Sequence, residues 1–212
     1  MATSFEAFLP EVMPNVAGCP EMVAINAVRQ ACREFCTRTT IWRSTLAAID
    51  SVLGQPTYSI VLASGSEVVL PLHVEYNDIP LSPTTEEKLE DAYPTWRDAS
   101  NGTPTMYLIE TKGTIRLHVP PDSAITGGIS VRVALRPTMT ADTVEDIVYT
   151  DWSERIADGA LARLTKMAGK DWSNPQLGIY HETQFWNGIL MARATVEHGH
   201  VKTSRQVTMQ FF

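Results

Sequence analysis

One apolar stripe constrains the fold of this chain more than any other feature. Within Met22 to Trp42, the residues Ile25, Val28, Cys32, Phe35, Cys36 and Thr39 recur at steps of three and four. That spacing stacks them on one face of an α-helix. Pro14, Gly18 and Pro20 break the chain ahead of the helix. Pro20 suits a first helical position, because its ring presets φ and its missing N–H would have been unpaired there. Glu21 adds negative charge at the positive end of the helix. The opposite face reads Asn26, Arg29, Gln30, Arg33, Glu34, Thr37 and Arg38. A helix with one apolar stripe must bury it against something, and a matching helical pattern returns only after residue 150. The residues between are therefore an excursion.

That excursion has a different period. Thr45–Val52, Tyr58–Ala63, Glu67–Tyr76, Thr105–Glu110, Thr114–Val119 and Ser130–Leu135 are short and rich in Val, Ile, Leu, Tyr and Thr, the signature of strands. Gly54-Gln55-Pro56, Ser64-Gly65-Ser66, Lys112-Gly113, Pro120-Pro121 and Gly127-Gly128 punctuate them. From Ile129 to Leu135 apolar residues hold the odd positions, which predicts a strand with one buried face. Leu81 to Tyr93 breaks the pattern with a capping start and acids in its first turn, a short acidic helix.

Helical period returns near Thr140. Trp152, Ile156, Ala160, Leu164 and Met167 form one stripe, and Gly159-Ala160 permits close helix approach. Asn174-Pro175 is a cap and first-turn pair that opens another helix through Leu177, Phe185, Ile189 and Ala192. The expected fold class is α+β: an antiparallel bundle of three main helices, an inserted small antiparallel β-sheet or sandwich, and an extended C-terminal arm. Residues 1–43 and 140–198 would form the bundle, 44–139 the inserted β domain with a short helix near 84–93, and 199–212 the arm. In that arm Val201, Val207, Met209 and Phe211 sit at odd positions, no acid follows Glu197, and Lys202 and Arg205 are basic. The alternation is strand-like and suits either a fold-back onto the chain's own sheet or addition to a neighbour's.

The chemistry is sparse. Net charge is −7, which argues against a general nucleic-acid-binding surface. Three cysteines without framework spacing suggest reduced thiols in a cytosolic setting. Cys32 and Cys36 share a helix face at i, i+4, but a soft-metal site needs more ligands, and both lie on the apolar stripe, where they act as small hydrophobes. His198-Gly199-His200 has no partner cluster. His73, His118 and His181 have no nucleophile or carboxylate at a catalytic spacing. There is no phosphate-cradling loop, nucleophile elbow or zinc-protease signature. No enzyme and no cofactor is expected. No stretch reaches the roughly 20 apolar residues of a membrane span, and the N-terminus lacks the pattern of a signal peptide.

Phe8 to Pro20, running into Ala31 to Cys36, resembles the head–tail adaptor proteins of tailed bacteriophages. So do Asp151-Trp152, Gly159 to Leu164 and Lys170 to Pro175. Leu81-Ser82-Pro83, Pro94-Thr95-Trp96 and Gly102 to Tyr107 look like the same family's sheet insertion. The resemblance covers nearly the whole chain and rests on the order of its motifs. It implies a structural virion protein at the capsid vertex, assembled in the host cytoplasm. Such a protein forms a homo-oligomeric ring, typically twelve-fold, between the portal and the next neck or tail component. DNA would pass through its lumen without sequence-specific binding, and no membrane is involved. Val201, Lys202, Arg205, Val207, Met209, Phe211 and Phe212 are the candidate arm for docking on the portal or a neighbour. Arg29, Arg33 and Arg38 are a candidate subunit interface. The competing expectations are another neck component, such as a stopper or tail-completion protein, and a carbohydrate-binding module on the inserted sheet.

Overall fold

The computed structural model describes residues 2–199. Chain contacts divide it into two compact units. One combines residues 2–4 with 42–145, and the other combines 5–41 with 146–199.

In the helical unit, the chain coils as soon as it enters. A 3₁₀ turn, Phe5–Phe8, runs into α1 (Leu9–Val12) and a second 3₁₀ turn, Met13–Asn15. Pro10 and Pro14 sit in the first turns of their elements. A missing N–H costs nothing there, so these prolines start helical turns rather than break the chain. Helix α2 (Glu21–Thr39) follows. Pro20 is its N-cap, with extended backbone, rather than its first helical residue. The helix ends three residues before Trp42, because Thr40 turns left-handed at φ 51° and donates its N–H to the Cys36 carbonyl.

The stripe read from the sequence is the buried face: Ile25, Val28, Cys32, Phe35, Cys36 and Thr39 are all buried. Its partners are α4 (Asp146–Thr165) and α5 (Pro175–His198). Phe35 packs against Trp152 of α4 at 5.5 Å and Phe185 of α5 at 6.2 Å between ring centroids. Each such pair is worth about 0.5–1.5 kcal/mol beyond its area. Asn174 caps α5 through its side chain, which accepts the Leu177 N–H at 3.2 Å.

The other unit is built on two long strands. Their neighbours are β1 (Ala2–Ser4), β2 (Arg43–Thr45), β3 (Ile49–Ser51) and β4 (Thr57–Ser59). The first long strand is β5 (Ser66–Tyr76), followed by β6 (Ile79–Pro80), β7 (Ser82–Pro83) and the short helix α3 (Glu86–Ala92). Then come β8 (Met106–Leu108), β9 (Thr114–Leu117), the second long strand β10 (Ile125–Pro137) and β11 (Thr143–Glu145). They form three sheets: a pair, β1-β11; a five-stranded sheet, β2-β10-β5-β6 with β3 also on β10; and a four-stranded sheet, β4-β9-β8-β7. Tyr58, Val74, Tyr76, Ile115, Leu117, Ile129, Val131 and Val133 form the core of this unit.

This corrects the expected fold class. The described residues hold five α-helices and eleven strands in three sheets. The fold is β-rich, not a three-helix bundle carrying a small sheet. Nor is the β part purely antiparallel, because β7 and β8 pair in parallel. The cause is local. Gly127-Gly128 reads as a turn but lies inside β10, where the pairing with β3 shifts register between Ile125 and Ile129. Pro71 lies inside β5, as the strand read over Glu67–Tyr76 implies, at one of two register shifts against β10. Bulges absorb such residues and bend the strand instead of ending it. The arm expected over 199–212 lies outside the described residues, apart from Gly199.

Candidate functional site

Two surfaces carry polar and apolar groups beyond what the cores need. The first is on the helical unit, where α2, α4 and α5 share a charged seam. Arg38 Nε donates to Glu34 Oε1 at 2.8 Å, and its guanidinium lies 4.4 Å from the Trp186 ring centroid. Glu34 also accepts from Arg163 of α4, whose other nitrogen donates to the Gly159 carbonyl at 2.7 Å. Lys166 and Glu182 pair at 2.6 Å beside them. Glu34, Arg163, Lys166, Glu182 and Trp186, with Ala162 and Phe185, line a hollow of about 230 Å³.

Of the candidate interface arginines, Arg38 thus has intramolecular partners, with 46% of its side chain still exposed. Arg29 donates to Asn26 Oδ1 and lies over the Phe5 ring at 5.6 Å. Arg33 is half-buried on the same helix. Arg29 and Arg38 therefore share one helix but serve different contacts within the unit.

A feature the sequence reading passed over lies beside this seam. Ile179, Tyr180, Leu190 and Met191 of α5 are between 57% and 62% exposed, and Trp186 lies between them. Positions 179, 186 and 190 fall on one helix face, as do 180 and 191. The signal was available, since α5 is apolar on more than the one face that Phe185, Ile189 and Ala192 bury. On the inward side His181 is held by Asp158, Nδ1 to Oδ1 at 2.8 Å, and Asp158 also meets Arg155 at 3.3 Å.

The second surface is on the β unit. Strand β5 pairs with β10 along its length and with β6 only at Glu75 and Tyr76. From Val68 to His73 its other edge has no strand partner among the described residues. A groove of about 570 Å³ lies beside the Pro71–His73 part of that edge, lined also by Thr85, Glu86, Ile109 and Glu110. Glu86 and Glu90 of α3 hold Arg97, and Arg116 holds Glu110 at 2.8 Å. The guanidinium groups of both arginines lie close to the ring of buried Trp96, at 4.6 and 4.7 Å from its centroid.

The cysteines carry no site. Cys32 and Cys36 are buried within the helical core, and burial pushes the Cys36 thiol up to about 12 and that of Cys32 well above its usual value. Neutral buried thiols pack as small hydrophobes. No group of three or more metal-ligating side chains occurs among the described residues, and no described helix is long and apolar enough to cross a membrane.

A sequence model of the SU10 adaptor protein family matches residues 8–208, nearly the whole chain. The chain belongs to this family of bacteriophage head–tail adaptors. No curated protein matches it. As an adaptor family member it is a structural component of the phage virion, at the junction of head and tail. The match spans both units of the adaptor, so the β excursion is as much a part of the family pattern as the helices. The match reaches residue 208, and the arm residues Val201, Lys202, Arg205, Val207, Met209, Phe211 and Phe212 lie outside the described residues.

Proposed function

We propose that this adaptor assembles as a ring, twelve-fold as is typical of head–tail adaptors, between the portal and the next neck or tail component. The ring surrounds the channel through which DNA passes. The observation that carries this reading is the family match over residues 8–208. The exposed apolar side chains of α5 support it, because large apolar groups displayed on a folded surface favour burial against a partner. Net acidity supports the passive passage of DNA, since a net negative protein repels phosphates rather than pairing with them. Arg38, half-exposed at the edge of the charged seam, is the α2 cation best able to add a contact with a neighbour. Assembly in the host cytoplasm belongs to the same proposal. A sugar-binding role finds no support in the β unit, where Trp96 is buried and Trp42 half-buried rather than displayed together.

The test is to mix the purified chain with portal and determine mass and symmetry by native mass spectrometry and cryo-electron microscopy. A closed ring seated on the portal is expected. A complex with tail tube but not with portal would make it a tail-completion protein instead. Replacing Leu190 and Met191 by Asp should leave the monomer folded and reduce ring formation; unchanged ring formation would remove α5 from the interface.

A further inference from the structure

We propose that the groove beside β5 receives residues 201–212 of a second copy of this chain, added as a strand to the open edge of β5. An unpaired strand edge is a row of N–H and C=O groups awaiting a partner. Here that edge runs from Val68 to His73, and the groove borders it at Pro71, Leu72 and His73, with room for part of an extended segment. Ile109 lies in the groove with 39% of its surface exposed, which leaves apolar area for an occupant to cover.

The segment fits this site in three respects. Val201, Val207, Met209 and Phe211 alternate with polar residues, the pattern of a strand with one buried face. Lys202 and Arg205 are its charged side chains, whereas the acids lining the groove are Glu86 and Glu110, which also meet Arg97 and Arg116, and Glu87 and Asp91 add negative charge on the same helix as Glu86. Opposite charge on segment and rim sets the orientation of approach and disfavours wrong partners. Twelve extended residues span about 40 Å, and they begin just past Gly199, where α5 ends in a left-handed cap. Pro71 offers no N–H, which limits the registers open to an incoming strand. Main-chain pairing supplies the affinity in this mode and the alternate side chains supply specificity.

The proposal rests on the self-association proposed above. A tail of one copy in the groove of the next is a head-to-tail contact, which closes into a ring when the rotation permits. The test uses the full chain with a photo-reactive residue, Met209→p-benzoyl-phenylalanine, and an equal mixture of isotopically heavy and light protein. Cross-links between heavy and light copies are expected on peptides containing 71–74 or 107–110. They should be lost with Ile109→Arg and kept with Val61→Arg, a control at an 83% exposed β-unit position that does not line the groove. Far-UV circular dichroism checks that both variants are folded. Cross-links confined to single copies, cross-links onto α5, no cross-links at all, or insensitivity to Ile109→Arg would each overturn the proposal. Native mass spectrometry of the same samples separates the two claims. An intact assembly without these cross-links refutes only the strand addition, whereas loss of assembly in the unmodified chain refutes both.

Discussion

Replacing Gly159 by Ala opposes two effects of known size. Gly159 is buried in α4 where α2 and α5 meet it. A Cβ there would stand 2.6 Å from Phe185 Cδ2, 2.7 Å from Cε2 and 3.1 Å from the Ala31 Cβ. Helix propensity alone favours Ala by about 1 kcal/mol. Overpacking a filled core costs about 1–3 kcal/mol. The ring cannot swing away, because Phe185 is 3% exposed, lies beside Phe35 and sits under the Arg163 guanidinium at 5.7 Å. Packing therefore wins, and Gly159→Ala should destabilise the helical unit by about 1–2 kcal/mol. Gly159→Leu should cost more. The assay is urea denaturation followed by far-UV circular dichroism. Ala194→Gly, at an exposed position on α5, calibrates the propensity effect at about 1 kcal/mol. A stability gain for Gly159→Ala near that value would refute the close approach of α4 and α5.

Three further outcomes are expected. Glu34→Gln weakens the contacts to both Arg38 and Arg163. It should cost about 1 kcal/mol at low salt and less at high salt, since the pairs are partly exposed; a loss independent of salt would contradict the ionic reading. Burial holds His118 below its usual 6.5, against a smaller opposing effect of the Met106 carbonyl. Below that value the unfolded chain binds more protons than the folded one, so this contribution to stability is complete above 6.5 and is lost as pH falls. Urea midpoints at about pH 7.5 and about pH 5 should therefore differ more in the wild type than in His118→Gln. Equal differences would refute the effect. Finally, a chromogenic disulfide reagent should leave Cys36 untouched in the native protein and titrate it after denaturation, because its thiol is buried and pushed up to about 12. Rapid native labelling of Cys36 would contradict its place in the core.

The helices were more legible than the sheets. Every member of the α2 stripe faces the core, and the Asn174-Pro175 pair does open α5. These signals are local, contained in one turn or one repeat. The sheets depend on pairing between distant segments, which periodicity does not encode. Gly127-Gly128 inside β10 looked like a strand end, so that long bulged strand read as the shorter Ser130–Leu135, whereas β5 was legible almost whole as Glu67–Tyr76. The pairs β1-β11 and β7-β8 involve two or three residues per strand, too few to show a period. The surfaces divide the same way. The polar face of α2 was visible from spacing, but its use within the unit was not, because Glu34 and Arg163 are 129 positions apart. The open edge of β5 is invisible in sequence, since an edge is defined by the strand that is missing beside it.

The hydrogen bond from the Leu135 N–H to the Trp42 carbonyl, at 2.8 Å, bears on how the chain folds. Helix α2 must find α4 across residues 42–145. As an unfolded loop that stretch imposes the closure entropy of its full length. Once β2 has joined β10, residue 42 is pinned beside residue 135, and only the residues from there to Asp146 remain to be closed. The effective loop is then roughly tenfold shorter, which lowers the closure cost by roughly 2 kcal/mol. A β unit that folds first thus acts as a clasp for the helices. Mutations in the β2-β10 ladder should slow the docking of α2 on α4, although no residue of that ladder belongs to either helix.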